Sequence, residues 1–204
     1  MKIEIDTQFV INKIRHTDAY LLAGGKSSRM GSDKGLLLFR NKTLIERIIE
    51  QLQPLFEKLI IVSNNPEYQK FGLEVIEDLI KDIGPAGGIH AALNHTKADG
   101  IFVVSCDMPF ITTKAVQFIL KNSLNQQITL PFHQGKIQPL SGVYSRDCFK
   151  KWERLIEQKI IKLQQMVTHF ELSKVNVDDH QFFNEIVFMN INDKNDLNKA
   201  LQQL

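Results

Sequence analysis

Cysteine is almost missing from this 204-residue chain: Cys106 and Cys148 stand alone, at no CxxC or other zinc spacing. Six scattered histidines show neither HxxxH nor a His/Cys cluster, so nothing argues for zinc. Charge of one sign is also scarce. With 25 basic against 23 acidic residues the formal charge is +2, too little to mark nucleic acid or a membrane as the main partner, and a small-molecule substrate fits better. Long apolar runs are absent, the clearest ones such as 101–105 being strand-sized and far short of a bilayer span. The opening MKIEIDTQFV lacks the basic-then-apolar start of a secretory signal, so the expected location is the reducing cytoplasm. No repeat, low-complexity tract or Gly/Ser linker divides the chain. A hydrophobic content of 43% is enough for a full core, and one domain over residues 18–204 is expected, preceded by an extension, 1–17, of ambiguous structure.

Short apolar runs alternate with helix-period segments. Residues 19–23, 59–63, 73–76 and 101–105 read as strands. Thr43 is placed to cap an amphipathic helix running towards Pro54, with Glu46 at the capping-box position. This alternation predicts an α/β fold of three layers, its sheet parallel over at least the first half, because parallel neighbours require helical crossovers. Later segments read as a helix at 112–121, strands at 127–131 and 137–144, helices within 146–170 and a last strand at 184–191. A final helix follows, capped by Asn192 or Asp193.

Ligands in such sheets collect at the carboxyl ends of strands. The segment LAGGKSSRMGSDK leaves the first strand there: Gly24 and Gly25 let backbone amides approach phosphate, and Arg29 and Lys34 add cationic donors. Neither the P-loop spacing nor GxGxxG is met, so the ATPase and dehydrogenase readings lose their support; a flexible basic surface loop is the plain alternative. Asp107 ends the 101–105 strand before Pro109, where a hard oxygen ligand suits Mg²⁺ on phosphates, although an aspartate there can also be a helix cap. Asp78 ends another strand beside a more solvent-facing Glu77; its carboxylate can accept from guanine N1–H and N2–H or from a ribose hydroxyl. Asn190 and Asn192 share one face of the expected last strand, where two amides can bond a polar ligand, while Asn192 can equally be a cap. His133 and Lys136 can meet an acceptor phosphate or be ordinary surface residues.

The string LAGGKSSRMGSDKGLL resembles the signature of the molybdenum cofactor guanylyltransferases, within a nucleotidyltransferase superfamily that shares LAxGxxxRMGxxK. GPAGGI at 84–89 is similar to the family's GPLAGI, with Ala86 in place of leucine; 135–144 resembles its PLxGLY strand, and 189–192 its N-x-N segment. The resemblance implies a Rossmann-like nucleotidyltransferase fold with a mostly parallel central sheet, and transfer of GMP from GTP to molybdopterin or molybdenum cofactor. It implies that Leu22, Ala23, Gly24, Gly25, Arg29, Lys34, Asp78 and Asp107 hold the nucleotide, that Lys34 and Asp107 are catalytic, that Asp107 holds Mg²⁺, and that Asn190 and Asn192 serve the acceptor. Transient contact with cofactor-handling proteins is a further implication. The rivals are a cytidylyltransferase, whose relatives tend to read LAAG where this chain has residues 22–25, another nucleotidyltransferase with a different phosphorylated acceptor, and a nucleotide-binding domain without catalysis.

Overall fold

The computed structural model describes residues 16–24, 33–123 and 126–203, with the side chain of Lys194 set aside. Its centre is β1 (Thr17–Leu22), buried at every position and paired in parallel with β4 (Leu59–Val62) and with β6 (Gly100–Ser105). Both faces of β1 and β6 are covered by helices, which is why their buried stretches Ala19–Leu22 and Ile101–Val104 are apolar without alternation. Successive β1 side chains point to opposite faces. Ala19 and Leu21 pack with Ile45 and Ile48 of α1 (Leu44–Leu52) and Ile119 of α3 (Thr113–Lys121). Tyr20 and Leu22 pack on the other face with Ile89 and Leu93 of α2 (Pro85–His95) and Trp152 of α4 (Phe149–Glu157). Two cores on one sheet make the three layers.

The sheet runs β10-β7-β9-β6-β1-β4-β5, where β5 is Glu74–Ile76, β7 Ile128–His133, β9 Ser141–Ser145 and β10 Leu172–Asn176. Only β9 in this path opposes its neighbours, pairing antiparallel with both β6 and β7. A short β8 (Lys136–Ile137) returns antiparallel on β7, and a separate hairpin joins β2 (Leu38–Phe39) to β3 (Lys42–Thr43). The expected capping box is present: Glu46 N–H donates to Thr43 Oγ1 at 3.4 Å, and Thr43 N–H to Glu46 Oε2 at 2.7 Å. Among the described residues no helix is long and apolar enough to cross a membrane.

Two expectations are corrected. The segment 184–191 is not a strand but a run of turns, with Val187 N–H bonded to Asn184 O and Met189 N–H to Ile186 O. Val187 and Phe188 are both buried, and adjacent inward side chains are incompatible with the period-two face of a half-buried strand. The last strand is instead β10, whose partly exposed LSKVN lacks a strong apolar signal. The strand expected at 137–144 is broken by Pro139, which has no N–H to donate, and Ser141 N–H closes a turn onto Gln138 O at 3.1 Å. The expected terminal helix is present as α5 (Lys194–Gln202), and of its two candidate caps Asp193 is the one, accepting from Asn195 N–H at 2.8 Å and Asp196 N–H at 2.9 Å.

Close packing at the start of α2 is testable. A Cβ on Gly87 would lie 2.7 Å from Ile80 O and 3.0 Å from Ile83 Cγ1, whereas one on Gly88 would meet the methyls of Leu22, the nearer at 3.1 Å. A side-chain methyl can give by a few tenths of an ångström; a backbone carbonyl cannot without moving its loop. Gly87→Ala is expected to lower unfolding stability by about 1–3 kcal/mol, and Gly88→Ala by less, in urea titrations at unchanged m-value. Equal losses for the two variants would contradict this assignment of rigidity.

Candidate active site

The carboxyl ends of β1, β4, β5 and β6 open into one cleft of about 570 Å³, bordered by α2 and by Leu140 ahead of β9. That volume suits a small-molecule ligand. Leu22, Ala23 and Gly24 line it, as the sequence implied, while Gly25 and Arg29 lie outside the described residues. Gly24 has φ +155°, a conformation that side chains resist, and the nearest atom to a Cβ there would be Ser63 Oγ at 3.9 Å. The constraint at Gly24 is therefore backbone conformation rather than crowding by the protein. Gly84 caps α2 at φ 62°, ψ −148°, again a glycine conformation, and Pro85 follows at the first helical position, where its missing N–H costs nothing. Among the described residues no side-chain hydrogen bond caps this end, and Gly87 N–H closes the first turn onto Gly84 O at 3.0 Å. Ala86, the departure from the family's leucine, is buried in the core and its carbonyl accepts from Trp152 Nε1 at 3.0 Å, so it takes no part in the cleft wall.

Asp78 stands on the β5 side of the cleft. Its Oδ2 accepts from Asn64 Nδ2 at 3.3 Å, and its backbone N–H donates to Asn64 Oδ1 at 3.1 Å. Its Oδ1 is buried and has no hydrogen-bond partner among the described residues. Burial pushes the acid above the usual carboxylate range, against the opposing pull of the Asn64 bond and of Lys81. A desolvated acceptor oxygen in a cleft wall is a site for a ligand N–H or O–H, because leaving it unpaired is costly. Glu77 faces solvent and pairs with Lys81 at 3.9 Å, as expected of its neighbour position. Asn64 was not foreseen; its only sequence signal is its place just beyond the end of β4, in Ser63-Asn64-Asn65-Pro66.

At the β6 side, Asp107 Oδ1 accepts from Ser105 Oγ at 2.6 Å, and its Oδ2 faces Lys34 Nζ at 3.4 Å. The same ammonium donates to Asn192 Oδ1 at 2.6 Å. Asp33 fixes where this lysine starts. Its Oδ1 accepts from Gly35 N–H at 3.2 Å and from the Tyr68 hydroxyl, and its Oδ2 from Asn65 Nδ2 at 3.2 Å. Gly35 is required here because a Cβ would collide with the Tyr68 hydroxyl. Tyr68 is fully buried, and burial raises its phenol far above the ordinary value, so it stays a neutral donor. The tail is held against Asp107 by Ile191 N–H, bonded to the Asp107 carbonyl at 2.9 Å.

Two hard oxygens, Asp107 Oδ2 and Asn192 Oδ1, thus surround a cationic position. Among the described residues no group of three or more His, Cys, Asp or Glu could form an all-protein metal cage. A sparse oxygen set of this kind fits Mg²⁺, which keeps several waters and takes substrate phosphates as further ligands. Asn190 is exposed two residues before Asn192, and the shared strand face proposed for the pair does not exist, since 189–192 is not a strand. His133 is buried at the end of β7, its Nδ1 2.6 Å from Asp178 Oδ1 and its ring against Phe188, so it is a packed, paired residue; Lys136 is exposed on β8.

A family profile described as the MobA-like NTP transferase domain matches residues 19–173. A probable molybdenum cofactor guanylyltransferase of Clostridium perfringens is 40% identical over 170 residues, covering 82% of this chain and 84% of that protein. One from Flavobacterium johnsoniae is 34% identical over 180 residues, covering 88% and 95%. The crystal structure of molybdopterin-guanine dinucleotide biosynthesis protein A from Archaeoglobus fulgidus superposes with a TM-score of 0.78 at 27% identity, over 92% of this chain and 98% of that one.

The strained carboxylate gives a prediction whose sign is fixed. Because the folded state raises the Asp78 pKa, the folded chain retains a proton that the unfolded chain releases between the ordinary and the raised value. Its contribution to stability is therefore fullest below that window and declines as pH rises through it. Asp78→Asn is expected to be more stable than wild type at neutral pH, with the gap closing once pH falls below the ordinary carboxylate range. Urea unfolding of both proteins across pH reads this directly, and parallel profiles would rule it out.

Proposed function

Because the chain belongs to the MobA-like NTP transferase family, we propose that it transfers GMP from GTP to molybdopterin, forming molybdopterin guanine dinucleotide and pyrophosphate. The observation that carries this reading is the cleft itself, whose wall holds, on the β5 side, a carboxylate oxygen with no partner among the described residues, and whose β6 side ends at Ser105, which bonds the Asp107 carboxylate paired with Lys34 just beyond the cleft's lining. In the order β6-β1-β4-β5 these ends are three strand spacings apart, about 14 Å, which is the scale of a nucleoside triphosphate lying across the sheet edge.

Asp78 reads the guanine edge or the ribose, braced by Asn64 so that its oxygens stay fixed while the ligand supplies the missing donors. The first turn of α2 and the backbone at Gly24 line the path between base and phosphates, while Gly25 and Arg29 are assigned to the nucleotide by the motif resemblance alone. Lys34 neutralises triphosphate charge as a mobile point charge rather than a planar fork. Asp107 and Asn192 would hold Mg²⁺, whose bound form supplies Lewis acidity and a template for the phosphates. Ser105 orients Asp107 through its hydroxyl. An acceptor phosphate oxygen attacks the α-phosphorus, the bond to the bridging oxygen of pyrophosphate breaks, and no covalent enzyme intermediate is required. Asn190, exposed beside this junction, is assigned to the acceptor, whereas Asn192 faces the phosphate side.

Pyrophosphate release across the four NTPs, with and without molybdopterin, tests the reading: release is expected with GTP and only in the presence of the acceptor. Preference for CTP would leave the superfamily assignment and remove the guanylyl one. Asp107→Asn is expected to lower kcat/KM at least about a hundredfold with little change in thermal unfolding. Near-normal turnover in that variant would take Asp107 out of the mechanism.

A further inference from the structure

The Asp107 carboxylate is already committed at both oxygens, one to the Ser105 hydroxyl at 2.6 Å and the other to the Lys34 ammonium at 3.4 Å. The second oxygen able to hold a cation, Asn192 Oδ1, accepts from the same ammonium at 2.6 Å. Lys34 and Asp107 are largely withdrawn from water, 26% and 13% exposed, so their charges are only partly screened, whereas Asn192 closes the site from its exposed side. The lysine is not a loose surface arm: the turn that carries it is tied to Tyr68 and Asn65 through Asp33, and Gly35 beside it is pressed against Tyr68. The partner oxygens are equally tethered, Asn192 by its backbone N–H to Asp196 Oδ2 at 3.0 Å and its neighbour Ile191 by the bond to the Asp107 carbonyl.

We infer that Lys34 is a built-in placeholder for the divalent cation, closing the Asp107–Asn192 site to metal until a triphosphate draws the ammonium away. The inference rests on the nucleotidyl-transfer reading above for the identity of the ligand that moves the lysine. An ammonium and a divalent ion cannot occupy the space between the same two oxygens, both because they coincide and because like charges repel strongly where water is scarce. A triphosphate offers Lys34 several anionic oxygens in place of one carboxylate and one neutral amide, and it brings the further oxygen ligands that a small hard cation needs. Metal and nucleotide therefore bind with positive coupling, each favouring the arrangement the other requires. The cation enters with its nucleotide or after it, and a metal-loaded protein without nucleotide is scarcely populated. This assigns Lys34 a second role, control of metal loading, beyond contact with phosphate.

Mn²⁺, a hard divalent ion whose free form is counted by electron paramagnetic resonance, tests this on the full chain without nucleotide. Wild type is expected to bind Mn²⁺ weakly. Lys34→Met, which removes the charge and keeps the length of the side chain, should bind it at least tenfold more tightly, and Lys34→Gln should tighten binding in the same direction. Lys34→Arg retains a cation and should stay weak. The gain should vanish in the Lys34→Met/Asp107→Asn double variant, which places the new affinity at this site, and thermal unfolding of each variant confirms that the comparison is between folded proteins. Mn²⁺ binding by Lys34→Met no tighter than wild type would overturn the inference, and so would a gain that survives loss of Asp107. The titration needs neither GTP nor acceptor. Failure of wild type to transfer GMP would thus remove the proposed reaction while leaving the lysine result standing.

Discussion

The central strand β1 has parallel partners on both edges and packed helices on both faces, and most of the architecture follows from that burial. Backbone donors and acceptors in such a strand have no water to fall back on, so both ladders have to be complete. Parallel ladders demand crossovers, and the crossovers are the helices that supply the two cores. Every strand that continues this parallel set also ends on the same side. The sheet therefore gathers Gly24, Ser63, Asp78 and Ser105 along one edge although they come from distant parts of the chain. The site is a geometric consequence of how the core is closed.

What that edge receives is polar matter that the core cannot tolerate, held by a second layer of bonds. Asn64 braces Asp78, Ser105 braces Asp107, and Asp33 with Tyr68 braces the start of Lys34. Each of these aims a charge while leaving one of its atoms for a ligand or for another charge. The raised pKa of Asp78 shows the energetic side of that arrangement, since a fully satisfied, solvated carboxylate would not be pushed upward by burial. Stability is given up where a buried oxygen is left without a partner among the described residues.

The tail beyond β10 completes the site from the other side of the sheet. Val187 and Phe188 are buried consecutively in the core of one face, and Ile191 docks with Phe39 and Leu44 near the β2–β3 hairpin. These apolar anchors fix a stretch with no regular structure well enough to deliver Asn192 to Lys34. A turn-rich segment positioned by buried side chains does here what the neighbouring strands do by hydrogen-bond ladders.

The residues alone carried the local decisions. Apolar runs at β1, β4 and β6, the Thr43–Glu46 box and an aspartate at the end of a buried strand are short-range patterns, and backbone sterics and capping act over the same short range. The motif string at residues 22–37 was enough for the family resemblance, because a signature of consecutive residues is read without any distant contact. Patterns that depend on distant partners were not legible: the half-exposed edge strand β10, the irregular 184–191 segment with two adjacent inward side chains, and the Asn64–Asp78 and Lys34–Asn192 pairs. Only the tertiary structure decided those, because the energy of each lies in a contact between residues that the sequence leaves far apart, and no local preference of either partner records it.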